Sequence, residues 1–351
     1  MQQSKLEIVK NVKETETEEL SNSTLFIDRL SRLFDYIAIL RPLLLIPGWT
    51  MVLLGYYRGI KGELTTQVSL PIIGNIGIML HPRKELILTL VLYSLLMGAV
   101  YILNQITDSQ TDQINDKLYL IPHGYLKKSI LKLQIVILIS LGIVLLVLLR
   151  FSPTYSILVL LSITMGIIYS LPPIRLKGKP ILDLITNASG FGFVAFAVGW
   201  TTRYGFSKEL ILDSLPYFLC VSAAFINTTI PDMEGDVRNG DVTTGIFLGV
   251  RKACMFSTLI LILAIITGWL RRDFVPIIAS VLSLPFFIRM TIINWNQNQA
   301  NIKTITLATK VSVMTLSLLV ALLMPFYFIL LIATILLVRL YYQTRFGIRY
   351  P

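Results

Sequence analysis

Apolar residues along this chain fall into long uninterrupted runs, with neither the alternation of a half-buried strand nor the one-sided stripe of a surface helix. Eight such runs stand out: about Ile37–Tyr57, Leu86–Ile106, Ile130–Arg150, Tyr155–Leu171, Ile181–Thr201, Ile211–Ile230, Ala253–Leu270 and Phe274–Ile293. Each is close to the length at which roughly 20 residues of helix cross about 30 Å of hydrocarbon. A further stretch, Val311–Val338, is too long for one untilted helix and contains Pro325, so it reads as one kinked span or as a tight hairpin of two. The pattern predicts an all-α, polytopic transmembrane bundle of nine or ten spans over residues 36–343, between an N-terminal tail at residues 1–35 and a C-terminal tail at residues 344–351.

Composition agrees with a bilayer as the solvent. Of 351 residues, 54% are hydrophobic and 15% charged, and the mean hydropathy is +0.72, outside the balance of a soluble domain. The net charge of +11 does not indicate nucleic acid, because Lys and Arg are scattered through short connections and form no basic stripe. The excess of positive loops on one side of a membrane explains them better. Cys220 and Cys254 have no CxxC partner, and His81 and His123 are the whole histidine complement, so thiolate or imidazole metal sites are not expected. The fifth run is rich in Ala, Ser and Gly from Ala188 to Gly199, which predicts close helix packing.

Against this background two acidic clusters matter. Asn104-x3-Asp108-x3-Asp112 ends the second run, and Asp232-x3-Asp236 ends the sixth. Carboxylates are costly beside hydrocarbon, so such clusters mark a working site. The four-residue spacing predicts that each set projects from one face of a helix continuing out of the membrane. Oxygen donors without His or Cys suit a hard cation such as Mg²⁺, which takes one or two carboxylates and completes its shell with water and phosphate oxygens. Glu234 falls on the opposite side of its helix and is left out of that set. Between the clusters, Tyr169-Ser-Leu-Pro172-Pro173-Ile-Arg175-Leu-Lys177 stops the fourth run and supplies two cations able to hold a diphosphate and favour its departure. The loops after the second, fourth and sixth runs emerge on one face by parity. Their Lys127, Lys128, Lys132, Arg175, Lys177, Lys179, Arg238, Arg251 and Lys252 make that face the expected cytoplasmic one, although Arg58, Arg203 and Arg271 lie opposite.

These three segments, in this order and separation, resemble the signatures of the UbiA-type intramembrane prenyltransferases. The likeness runs from Arg41-Pro42 in the first span to the last helix. It implies a helical membrane fold around a central cavity, in which Mg²⁺ ions held by Asn104, Asp108, Asp112, Asp232 and Asp236 bind a prenyl diphosphate. Tyr169, Arg175 and Lys177 match the diphosphate-contacting segment, and Arg41 is expected to contribute from the first span. Asp108, Asp112, Asp232 and Asp236 are thereby the expected catalytic carboxylates. One departure is Asn227-Thr228-Thr229, where many relatives carry a basic residue; the resemblance then implies that one phosphate contact is either missing or supplied by Arg238 or Lys179.

The implied reaction is Mg²⁺-dependent prenyl transfer from a prenyl diphosphate to a lipophilic acceptor. Tyr93, Tyr101, Tyr169 and Phe225 are candidate aromatic faces for a developing carbocation. Asn104-Gln105, the Leu120-Ile-Pro122-x-Gly124 segment and Ile230-Pro-Asp232-x-Glu-Gly-Asp236 are similar to the homogentisate prenyltransferase and chlorophyll synthase branch, which implies an aromatic or quinone-precursor acceptor. A glycerophosphate ether-lipid acceptor is the close alternative. An ion-coupled transporter is the reading from a different class, since intramembrane Asp also marks ion paths; no inverted repeat is evident, and these carboxylates sit at helix ends.

Overall fold

The computed structural model describes residues 32–60, 63–64, 66–70, 74–114, 120–296 and 300–350. Most of the expected N-terminal tail, the Asn115 to Tyr119 part of the expected motif loop, and Lys61 lie outside them. Among the described residues ten helices are long and apolar enough to cross a membrane, which makes this an integral multi-pass membrane protein. We number the helices that build the bundle and its site: α1 Pro42–Ile60, α2 Lys84–Thr107, α3 Ser109–Ile114, α4 Lys128–Leu149, α5 Pro153–Ser170, α6 Leu182–Thr201, α7 Lys208–Thr229, α8 Met233–Arg238, α9 Thr244–Leu270, α10 Phe274–Ile293, α11 Ile302–Leu323 and α12 Pro325–Phe346. Helices α3 and α8 are short, six residues each. A two-stranded antiparallel hairpin, Gln67–Leu70 with Gly74–Gly77, joins α1 to α2.

Local chemistry sets the ends. Ser152 accepts from the Tyr155 amide ahead of Pro153 at the start of α5, and Ser207 does the same for α7 through Leu210. The last apolar stretch is a hairpin of two spans, with Pro325 at the first position of α12. A proline there cannot donate to the preceding turn, so the chain stops and restarts instead of kinking. The seventh run begins earlier than hydropathy suggested, at Thr244, and bends at Gly249, whose φ of 71° only glycine adopts without cost. Both ends of the bundle lie on one face, as an even number of spans requires: Tyr341 Oη donates to the buried Asp35 at 2.6 Å, and Arg345 Nε reaches the same carboxylate at 3.2 Å.

The small residues of α6 do what their size allows. Cβ atoms built on Gly199 and Gly55 would collide with backbone of the facing helix, so α1 and α6 are in backbone contact. Gly190 differs, since a Cβ there would meet nothing within 4 Å. On the face opposite the acidic motifs, Arg58 bridges Asp213 at 2.6 Å and Asp273 at 3.4 Å, Arg271 pairs with Asp213 at 2.7 Å, and Tyr217 donates to Asp273 at 2.7 Å. This nearly buried group ties α1, α7 and the α9–α10 turn together.

Candidate active site

The second and sixth spans end in the same way. Asp108 adopts φ −95°, ψ 6° and Asp232 adopts φ −98°, ψ −3°, and each separates a long helix from a six-residue one. This bridge conformation is sparsely populated and recurs at functional positions. The expectation of one helix continuing out of the membrane is therefore corrected: α2 breaks at Asp108, and α7 ends at Thr229 with Ile230, Pro231 and Asp232 forming the break. The break is local. It places the second aspartates, Asp112 and Asp236, on short helices that pack against each other across the site.

A cavity of about 500 Å³ opens there, and it brings together Asn104, Asp108, Asp112, Asp232, Asp236, Lys177, Tyr169 and Arg41. Below this polar mouth the walls become apolar. On α2 the lining residues Tyr93, Met97, Val100, Tyr101 and Asn104 recur on one helical face, and Asp108 follows at its end. The span from Tyr93 to Asp108, at 1.5 Å per residue, gives a depth of about 22 Å. Phe225, Phe191, Met165 and Leu316 line other sides, so the aromatic candidates Tyr93, Tyr101, Tyr169 and Phe225 all border the cavity. Thr228 and Thr229 also line it where a basic residue was missing; neither Lys179 nor Arg238 does. Arg238 instead pairs with the exposed Glu234 at 2.5 Å.

Charge is unevenly distributed around the mouth. Asp108 accepts from Asn104 Nδ2 at 2.8 Å and lies 2.5 Å from Lys177 Nζ and 3.3 Å from Arg175 Nη2. Asn104 also reaches Ser170 Oγ at 3.3 Å. Burial pushes the Asp236 carboxyl up to about 6; Lys177 opposes this, while Asp232, Asp241 and Asp108 add to it. The two acidic clusters thus feel one another's charge. Among the described residues no three His, Cys, Asp or Glu side chains stand close enough to form a complete metal cage. The donor set nonetheless fits Mg²⁺, which needs only one or two carboxylates per ion beside phosphate and water. Five oxygen-bearing side chains at one mouth, with mutual repulsion to relieve, meet that need.

Arg175 is placed otherwise than its motif suggested. It is absent from the cavity wall, and its Nε and Nη2 donate to the two oxygens of Asp241 at 3.0 and 2.7 Å. Burial raises the Asp241 carboxyl, but hydrogen bonds from Arg175 and Asn239 outweigh this and hold it below the usual carboxylate range. Asp241 was invisible to spacing arguments because it falls five residues beyond Asp236. Asp183, fully buried at the start of α6, was also missed. It accepts from the Thr244 amide at 2.7 Å and from the Thr244 hydroxyl, fastening α9 to α6. A lone carboxylate opening an apolar run was the signal available in the sequence.

Comparison with known proteins follows the same outline. The model of the UbiA prenyltransferase family matches residues 76–310, which contain all three motifs and leave out Arg41. The digeranylgeranylglyceryl phosphate synthase of Sulfurisphaera tokodaii is 28% identical over 191 residues, 53% of this chain and 66% of that protein. The probable homogentisate phytyltransferase 2 (chloroplastic) of Oryza sativa subsp. japonica is 29% identical over 210 residues, 57% of this chain and 53% of that protein. The chain thus spans just under two thirds of one relative's length and about half of the other's. A UbiA homolog from Archaeoglobus fulgidus bound to GPP and Mg²⁺ superposes with a TM-score of 0.58 at 20% identity, covering 82% of this chain and 99% of that one. The apo UbiA homolog from Aeropyrum pernix K1 gives 0.56 at 14% identity, covering 78% and 95%. At these identities the structural likeness speaks to the fold.

Proposed function

Since the chain belongs to the UbiA prenyltransferase family, we propose that it transfers a prenyl group from a prenyl diphosphate to a lipophilic acceptor within the bilayer, releasing diphosphate. The observation that supports this most is the meeting of Asn104, Asp108, Asp112, Asp232, Asp236 and Lys177 at the mouth of one deep, apolar-walled cavity. A diphosphate needs the charged mouth and a prenyl chain needs the walls; one molecule carrying both fits the whole space. A carrier, by contrast, would place its carboxylates near the bilayer midplane.

In this reading Asn104, Asp108 and Asp112 on one side and Asp232 and Asp236 on the other would hold Mg²⁺. When bound, that ion neutralises diphosphate charge and eases its departure. Lys177 exchanges its contact with Asp108 for diphosphate oxygens, and Arg41 and Tyr169 border the same group. The prenyl chain lies along Tyr93, Met97 and Val100. As the allylic C–O bond breaks, its electron pair leaves with the diphosphate, and the ring faces of Tyr101, Tyr169 and Phe225 stabilise the developing cation by about 1–2 kcal/mol each. The acceptor nucleophile bonds to that carbon and loses its proton.

The acceptor is an aromatic or quinone precursor on the motif resemblance, and the 29% likeness to a probable homogentisate phytyltransferase supports that. The likeness to archaeal digeranylgeranylglyceryl phosphate synthases supports glyceryl phosphate as a second reading. Purified protein in liposomes with Mg²⁺, geranylgeranyl diphosphate and each acceptor class in turn decides between them by product mass. No binding or consumption of any prenyl diphosphate, from ten carbons upward, would end the reading altogether. We place the motif face in the cytoplasm from its Lys and Arg content. A single cysteine introduced at Lys179 should then be labelled by membrane-impermeant maleimide only in inverted vesicles.

A further inference from the structure

We propose that Asp241 is a positioning residue that keeps Arg175 from neutralising Asp108, so that Asp108 remains available to a divalent cation; this rests on the cation-dependent reading above. The geometry of one guanidinium is the basis. Arg175 gives Nε and Nη2 to the two oxygens of Asp241 at 3.0 and 2.7 Å, and Nη1 to the Ser170 carbonyl at 3.4 Å. What remains reaches Asp108 through a single longer contact of 3.3 Å. The bidentate, charge-assisted pair is the stronger of the two arrangements. With most of its five donors engaged, Arg175 has little left for a diphosphate.

The surroundings hold Asp241 in that position. It is buried, and Asn239 Nδ2 donates to it at 2.9 Å. Its backbone amide donates to the Asp236 carbonyl at 2.9 Å, and the Val242 amide to Gly178 at 3.1 Å. A Cβ on Gly178 would collide with the Asp241 carboxylate, so glycine is what lets the two loops approach this closely. Without the Asp241 carboxylate, the same guanidinium sits within reach of one other acidic partner, Asp108. A bidentate Arg175–Asp108 pair would compete directly with the cation.

The test is a double-mutant cycle on the full-length protein in detergent, with MgCl₂ as the probe. Two quantities are read: the Mg²⁺ concentration giving half of the cation-induced rise in Tm without substrate, and the concentration giving half-maximal geranylgeranyl diphosphate binding. D241A should raise both by about tenfold. In R175A/D241A both should return to within about threefold of R175A alone, because the competing cation is gone. D241N keeps the side-chain volume and should behave as D241A, which covers a loss of folding in the alanine variant. Unchanged Mg²⁺ midpoints in D241A and D241N would overturn the proposal. So would a shift that removal of Arg175 fails to rescue, since a merely structural staple behaves that way. A wild-type protein that shows the Mg²⁺ rise in Tm but ignores geranylgeranyl diphosphate would count against the prenyl transfer reading and leave the cation arm of the cycle decisive for Asp241.

Discussion

Lys177 Nζ and the Asp108 carboxylate lie 2.5 Å apart. Lys177 is also the motif cation that lines the cavity beside the aspartates, whereas Arg175 is turned toward Asp241. Lys177→Ala should therefore act mainly on donor binding. A charged hydrogen bond is worth about 1.5–3 kcal/mol, so KM for the prenyl diphosphate should rise by about 10- to 100-fold, with a smaller fall in kcat. Steady-state kinetics over a donor series checks this, and an unchanged KM would remove Lys177 from the diphosphate site. At this scale the sequence was legible where chemistry and spacing coincide, at Asn104, Asp108, Asp112, Asp232 and Asp236. It was silent on Asp241 and on the true partner of Arg175. Their pairing depends on two loops more than sixty residues apart meeting at Gly178, and no periodicity records that.

Among the elements, the breaks in the helices do more than the helices themselves to position the candidate site. Hydropathy located the spans and their order, and at Pro325 it left one kinked span or a hairpin of two open. It could not show that α2 stops at Asp108, because a polar helix continuing into water and one that turns have the same composition; for α7, which ends at Thr229, Pro231 was the available signal. Helix α6 gives a direct test of the cavity as the donor site. A side chain at Gly190 would project into the cavity without touching protein within 4 Å of its Cβ. Gly190 lies eight residues into the helix, about 12 Å from its motif end. Gly190→Leu should leave Tm unchanged and lower the rate with geranylgeranyl diphosphate about tenfold, while dimethylallyl diphosphate, too short to reach it, is spared. Equal loss for both donors would contradict the assignment of the walls. At the opposite face, Arg58 is shared by Asp213 and Asp273 in nearly dry surroundings. Arg58→Ala strands Asp273 without its cation and should cost about 3 kcal/mol, read as a drop in Tm in detergent with the donor KM unaltered.

At the level of the whole molecule, the ten spans among the described residues bring all three motifs and both ends of the helical bundle to one face. The general hydropathy made the class of protein readable in the sequence, and span parity put the three motifs together on one face. The count of ten needed the hairpin at Pro325, and the contact of Asp35 with Tyr341 and Arg345 makes it consistent. The proposed function requires that two acidic clusters, distant in sequence, act on one diphosphate through shared cations. Titration calorimetry of geranylgeranyl diphosphate into wild type, Asp108→Ala and Asp236→Ala, each with MgCl₂ and with chelator, measures this most directly. Wild type should bind only with Mg²⁺, and each substitution should weaken that binding on the order of 100-fold while far-UV spectra stay unchanged. Wild-type affinity in either variant, or binding indifferent to chelator, would contradict it.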